Sequence, residues 1–238
     1  MAQLCETVSG VCHDNKECKV MARKRKVSEV WNYDLITADQ KLLISSLFSG
    51  IEEFYKRDAE QLFGHGKKEK NIDERAMVGC IYRYMYESFS RICENFPHID
   101  IEYNRMLNLN KEEVEKALIS CGKCKNREMQ KGGLSCVVYA NELKKRFRDR
   151  NSGNDSIGIR PDIIVHKRNH PENGLVVEFK KLNGDVSYDE LKVRYATCSH
   201  SPLHYIIGAV VRLRRSNADV DIYQSGSFVC KVTVPLKK

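Results

Sequence analysis

No uninterrupted apolar run in this chain approaches the roughly 18 residues a membrane helix needs, which excludes a helical membrane protein. The opening stretch, MAQLCETVSGVCHDNKECKV, lacks the apolar centre of a secretory signal, so the expectation is an intracellular protein, cytoplasmic or nuclear. No internal repeat is visible either. Against these absences stand 10 cysteines. Without an export signal they are expected as thiols, some of them metal-bound, and not as a disulfide framework.

What is present suits a globular protein. The 238 residues are 42% hydrophobic, enough for one core with extensions. The net charge of +8, from 40 Lys and Arg against 32 Asp and Glu, is compatible with a polyanionic partner and equally with a basic solvated surface.

Residues 1–30 are polar and irregular, carry the basic run RKRK at 23–26, and are expected as a tail; 31–238 are expected to form a single domain. Apolar residues at helical spacing (Leu42, Leu43, Leu47, Ile51, Phe54, Tyr55) predict one long amphipathic helix over 37–63, with Asp39 in its first turn. After GHGKKEKN, a second helical pattern runs through Met77, Cys80, Ile81, Tyr84, Met85, Phe89 and Ile92, with Glu74 in its first turn. The alternation of Ile99, Ile101 and Tyr103 with polar neighbours predicts a half-buried strand. Residues 106–156 read as an insertion between strands. Beyond it come a strand at 159–166, a turn at NHPENG, a strand at 174–180, a helix near 186–199, a strand HYIIGAVVRL and two terminal strands, DVDIY and FVCKVTV.

The hairpin IRPDIIVHKRNHPENGLVVEFKK holds three polar side chains in runs otherwise suited to burial. Residues two apart on a strand share a face, so Glu178 and Lys180 point together while Val177 and Phe179 pack on the other side. In an antiparallel hairpin the start of the first strand lies beside the end of the second, which brings Asp162 to Glu178 and Lys180. Two carboxylates at close range repel unless a cation lies between them, and hard oxygen ligands suit Mg²⁺ or Mn²⁺. A neighbouring lysine can orient a metal-bound water. An acid two residues before a lysine also recurs elsewhere (Asp14/Lys16, Glu142/Lys144, Glu190/Lys192), but only at 178–180 does it end an apolar strand. The competing reading is a surface ion pair worth roughly 0–1 kcal/mol.

RPDIIVH followed by LVVEFKK resembles the PD-(D/E)xK nuclease superfamily, and DERAMVGCIYRYM, IDIEYNR, YDELKVRYAT and HYIIGAVVRL resemble segments of small, uncharacterised members of it. The likeness spans about 72–213, apart from the insertion. It implies an α/β protein of restriction endonuclease-like fold, a mixed central sheet flanked by helices in the order αβββαβ. It also implies a metal-dependent nuclease in which Asp162 and Glu178 bind Mg²⁺ or Mn²⁺ and Lys180 positions the attacking water. Glu74 would be an additional acidic ligand or water anchor, although a first-turn glutamate also simply favours the helix dipole. Arg75, Arg160, His166 and Lys181 are candidates for contacting nucleic acid phosphates, DNA before RNA, with His166 alternatively a strand-end histidine bonded to backbone. Tyr103, Asn104, Arg105, Tyr188 and Lys192 are further candidates for holding substrate.

Cys121 and Cys124 have the spacing of half a zinc knuckle, with Cys136 the nearest further ligand in sequence and Cys93, Cys12, His13 or Cys18 able to complete it in space. Structural Zn²⁺ and unpaired loop thiols both fit this pattern. Cys80, Cys93, Cys198 and Cys230 fall on apolar faces and are expected in the core. The alternative to a nuclease is a non-catalytic nucleic-acid-binding or protein-interaction module, stabilised by zinc through Cys121 and Cys124. A homodimer through the 37–63 helix is the expected route to double-strand cutting.

Overall fold

A computed structural model describes residues 36–63, 73–89, 96–101, 160–167, 173–181, 184–199, 201 and 203–235. Period-2 apolar runs become strands: β1 (His98–Ile101), β2 (Ile163–His166), β3 (Asn173–Lys181), β4 (Tyr205–Leu213), β5 (Asn217–Gln224) and β6 (Ser227–Pro235). They lie side by side in chain order in one sheet. Each neighbouring pair is antiparallel except β3 and β4, which run parallel. A parallel pair needs a crossover, and the helix α4 (Ser187–Thr197) supplies it.

Strand alternation sorts the side chains between two faces. Ile163, Val165, Val177 and Phe179 join the core formed with α1 (Ala38–Arg57) and α3 (Glu74–Phe89). Ile164 and Val176 join a second core under α4. The result is a mixed six-stranded sheet between helices, an α/β architecture. Leu43, Leu47, Ile51 and Phe54 of α1 are fully buried, each contributing about 1.5–3 kcal/mol. That apolar face packs into this chain's own core. No helix among the described residues is long and apolar enough to cross a membrane.

Helix α1 starts on a reciprocal cap: the Thr37 hydroxyl accepts from the Gln40 backbone N–H, and the Gln40 side chain accepts from the Thr37 N–H. The single long helix expected to run to Phe63 is in fact two. Asp58 closes α1, its N–H donating to the Phe54 carbonyl, and a short helix α2 (Ala59–Phe63) follows. The Asp58 carboxylate accepts the Tyr84 hydroxyl at 2.8 Å, so a tertiary bond to α3 marks the break where no glycine or proline does. The β5–β6 hairpin turns through Ser225 and Gly226, both at positive φ, as a two-residue turn matching the twist of its strands requires.

Gly208 in β4 lets α4 approach the sheet. A Cβ there would lie 2.5 Å from Val193 Cγ1 and 2.9 Å from Thr197 Cγ2. Gly208→Ala is expected to cost about 1–3 kcal/mol through overpacking. In a thermal melt that reads as a Tm lowered by about 2–10 °C; a melt within a degree of wild type would show that α4 can shift away.

Candidate active site

The register pairs Ile163 with Val177 and Ile164 with Val176, which places Asp162, one residue before β2, opposite Glu178. The Asp162 backbone N–H donates to the Val177 carbonyl, and its side-chain Oδ2 accepts the Phe179 N–H at 2.6 Å. The hairpin thus brings Asp162 and Glu178 together, as the alternation of the two strands predicts.

Glu178 is 2% exposed. Its Oε2 accepts from Lys192 Nζ at 2.6 Å, and its Oε1 has no hydrogen-bond partner among the described residues. Lys180 lies 3.3 Å from Asp189 Oδ2 and 3.9 Å from Glu74 Oε1. Asp189 joins the two lysines, its other oxygen lying 3.0 Å from Lys192 Nζ. Glu74, the first residue of α3, also accepts the Lys181 backbone N–H at 2.8 Å and so ties that helix to the end of β3.

Four carboxylates (Glu74, Asp162, Glu178, Asp189) therefore face two ammonium groups (Lys180, Lys192), a surplus of two negative charges when all are ionised. The protonation equilibria register it. Burial, helped by Glu74 and Asp189, pushes Asp162 up to about 6 against the Phe179 hydrogen bond and Lys192. Burial pushes Glu178 up to about 8 against the pull of Lys192. Burial pulls both lysines down, but their carboxylate neighbours outweigh it: Asp189 and Glu74 at Lys180, Glu178 and Asp189 at Lys192. Each lysine ends above its usual value, and this corner holds protons more tightly than free side chains do.

Beside the cluster lies a cleft of about 390 Å³. Glu74 and Asp162 form part of its wall, and Arg75 and Arg160 line it with them. Of the other expected phosphate contacts, Lys181 follows Lys180 at the end of β3. His166 is elsewhere. It ends β2 four residues from Asp162, about 13 Å along the strand, is 3% exposed, and donates from Nε2 to Asp100 Oδ2 at 2.6 Å. Its partner is a carboxylate of β1, neither backbone nor a group of the cluster.

Sequence reasoning passed over Asp189 and treated Lys192 as one of several substrate contacts. Lys192 is only 8% exposed and is bound to two carboxylates, with its ammonium 5.3 Å from the centre of the Tyr188 ring. The signal was the i, i+3 spacing of Asp189 and Lys192 on a helix that follows an acidic strand end. Cys198 and Cys230 are buried and Cys80 is partly buried, as expected. Cys93, Cys121, Cys124, Cys136, Tyr103, Asn104 and Arg105, the 1–30 tail and the 106–156 insertion lie outside the described residues.

The cluster bears on a metal ion in two ways. Among the described residues no group of three or more His, Cys, Asp or Glu side chains forms a ready-made cage. Yet two hard carboxylates, one with a buried oxygen left unpartnered, fit an ion such as Mg²⁺ that takes one or two protein carboxylates and keeps several waters. No family model, curated protein or solved structure matches the chain.

Proposed function

We propose that this chain is a metal-dependent nuclease of restriction endonuclease-like fold that hydrolyses phosphodiester bonds of DNA. The observation that carries the reading is the unpartnered Glu178 oxygen, buried beside Asp162 in a cluster with two more carboxylates than ammonium groups. A buried acceptor without a donor costs about 1–3 kcal/mol or more for a charged group. A cation would satisfy it. The element order α3, β1, β2, β3, α4, β4 also agrees with the αβββαβ core of that superfamily.

Asp162 and Glu178 would hold Mg²⁺ or Mn²⁺, which when bound neutralises charge on a phosphate and lowers the pKa of a coordinated water. The protein's own groups do the positioning. The Phe179 N–H fixes the Asp162 carboxylate, and Lys192 fixes one oxygen of Glu178 so that the other points away from that ion pair. Asp189 and Glu74 hold the Lys180 ammonium at the end of β3, half exposed, where it can donate to an attacking water or a phosphate oxygen. Arg75 and Arg160 give the adjoining cleft the positive charge a phosphate backbone requires.

The test is cleavage of single- and double-stranded DNA and RNA with Mg²⁺ or Mn²⁺, comparing wild type with Lys180→Ala. Metal-dependent cleavage of DNA that falls about 10²-fold or more in the variant is expected. Folded wild-type protein that cuts nothing in either metal would leave the binding-module reading in its place.

A further inference from the structure

We infer that the cleft beside Glu74 and Asp162 is a slot for one unpaired nucleobase, so that the substrate strand is presented single-stranded or with a nucleotide turned out of its helix. This rests on the nuclease reading and adds a substrate class to it. The cleft's volume, about 390 Å³, falls in the range of pockets that enclose small ligands. Its wall changes character over a short distance. The two arginines suit a phosphate and the acidic end at Glu74 and Asp162 suits a cation that would bridge to it, while Val78, Gly79 and Ile101 form an apolar remainder that no phosphate would use. A base is the apolar, flat part of a nucleotide, and bases without a pairing partner are bound by stacking on side chains, arginine planes included.

Two features mark the recess as shaped for a ligand and not merely left over. Ile101, the last residue of β1, is 40% exposed, one of three large apolar side chains exposed to that degree among the described residues. Gly79 lies inside α3, where glycine weakens a helix relative to alanine. The other helical glycine among the described residues, Gly50, is explained by packing, since a Cβ there would meet Met85 Cγ at 2.5 Å. At Gly79 a Cβ would meet nothing within 4 Å. The chain's own packing does not call for a bare backbone at that point, and a side chain there would project into the cleft.

That open position supplies the test. Gly79→Ala, Gly79→Leu and Gly79→Phe extend progressively larger side chains from a point where a Cβ meets nothing within 4 Å, and circular dichroism and a melt check that each is folded. Binding is read by the fluorescence of an oligonucleotide carrying one 2-aminopurine, with Ca²⁺ in place of Mg²⁺ to slow turnover, against a blunt duplex of the same sequence. Wild type is expected to bind the single strand at least tenfold more tightly than the duplex and to change the 2-aminopurine emission. Gly79→Phe is expected to lose at least tenfold in single-strand affinity, with Gly79→Leu between it and Gly79→Ala. A folded Gly79→Phe that binds the single strand as wild type does, a wild-type preference for duplex, or no binding of either form overturns the inference. The two readings fail separately. A chain that binds through the slot but cuts nothing in Mg²⁺ or Mn²⁺ keeps the slot and loses the nuclease, whereas one that cuts with Gly79→Phe unaffected keeps the nuclease and loses the slot.

Discussion

Asp162→Asn is expected to lower metal-dependent cleavage by about 10³-fold while making the metal-free protein more stable. The loss follows from removing one of the two carboxylates proposed to hold the metal, since an ion contributes several kcal/mol to the stability of a transition state at phosphate. The gain in stability has a separate origin. An asparagine oxygen can still accept the Phe179 N–H that Asp162 now accepts, so the fold keeps that bond and sheds a buried charge. The Asp162 carboxyl is raised from 3.8 to about 6, chiefly by burial. A group whose folded pKa is raised binds more protons folded than unfolded, so its contribution is most favourable below about 4 and is lost as pH climbs to about 6. The variant should therefore match wild type in acid and exceed it by about 1–3 kcal/mol above pH 6, as read by denaturant melts in chelator. Adding Mg²⁺ should raise the Tm of wild type by mass action and leave that of Asp162→Asn unmoved. Equal metal-induced shifts in the two proteins would remove Asp162 from the metal site.

The second large effect lies one strand away. Arg212→Met is expected to cost about 3–5 kcal/mol of stability, the usual consequence of leaving one partner of a buried ion pair alone. Arg212 Nη2 lies 2.5 Å from Asp221 Oδ2, Asp221 is buried, and its other oxygen already has no hydrogen-bond partner among the described residues. Arg212 also reaches Glu190 of α4 at 3.3 Å, so the substitution loosens α4 from the sheet as well. Restoring charge balance with Asp221→Asn in the same chain should recover most of the loss. A double-mutant cycle in guanidinium gives the coupling between the two sites. A coupling below about 0.5 kcal/mol would mean that water reaches Asp221 and that the pair behaves like a surface ion pair.

The carboxylates at the start of β2 and in β3 are legible because strands have a period of two. Once Val177 and Phe179 are placed in a core, Glu178 and Lys180 must share the opposite face, and the hairpin puts Asp162 beside Glu178 whatever lies elsewhere. Helix partners are harder to read, because the same spacing that puts Asp189 and Lys192 under the sheet would equally put them in water. Only the burial of Glu178 distinguishes the two, and burial is a property of the assembled layers. The break at Asp58 was hidden for a similar reason: the bond that marks it comes from the Tyr84 hydroxyl on another helix. His166 misled because a histidine on the strand that follows a conspicuous aspartate suggests the same site, whereas the length of β2 separates them and Asp100 takes the ring.

Strands β1 and β2 are neighbours in the sheet although residues 102–162 separate them in the chain. The last residue of β1, Ile101, is register partner to Ile163, the first of β2. The chain thus leaves the sheet and returns to it across one strand spacing, about 5 Å. A connection with so short a span obeys almost no length rule. Its closure entropy grows only logarithmically, about 0.6 kcal/mol for each doubling of the loop. As far as closure entropy goes, a connection of this span can be lengthened or shortened at little penalty, and its two ends emerge beside Asp162 and the Ile101 lip of the cleft. The layout puts the point where chain length is entropically cheapest to vary next to the Asp162 cluster.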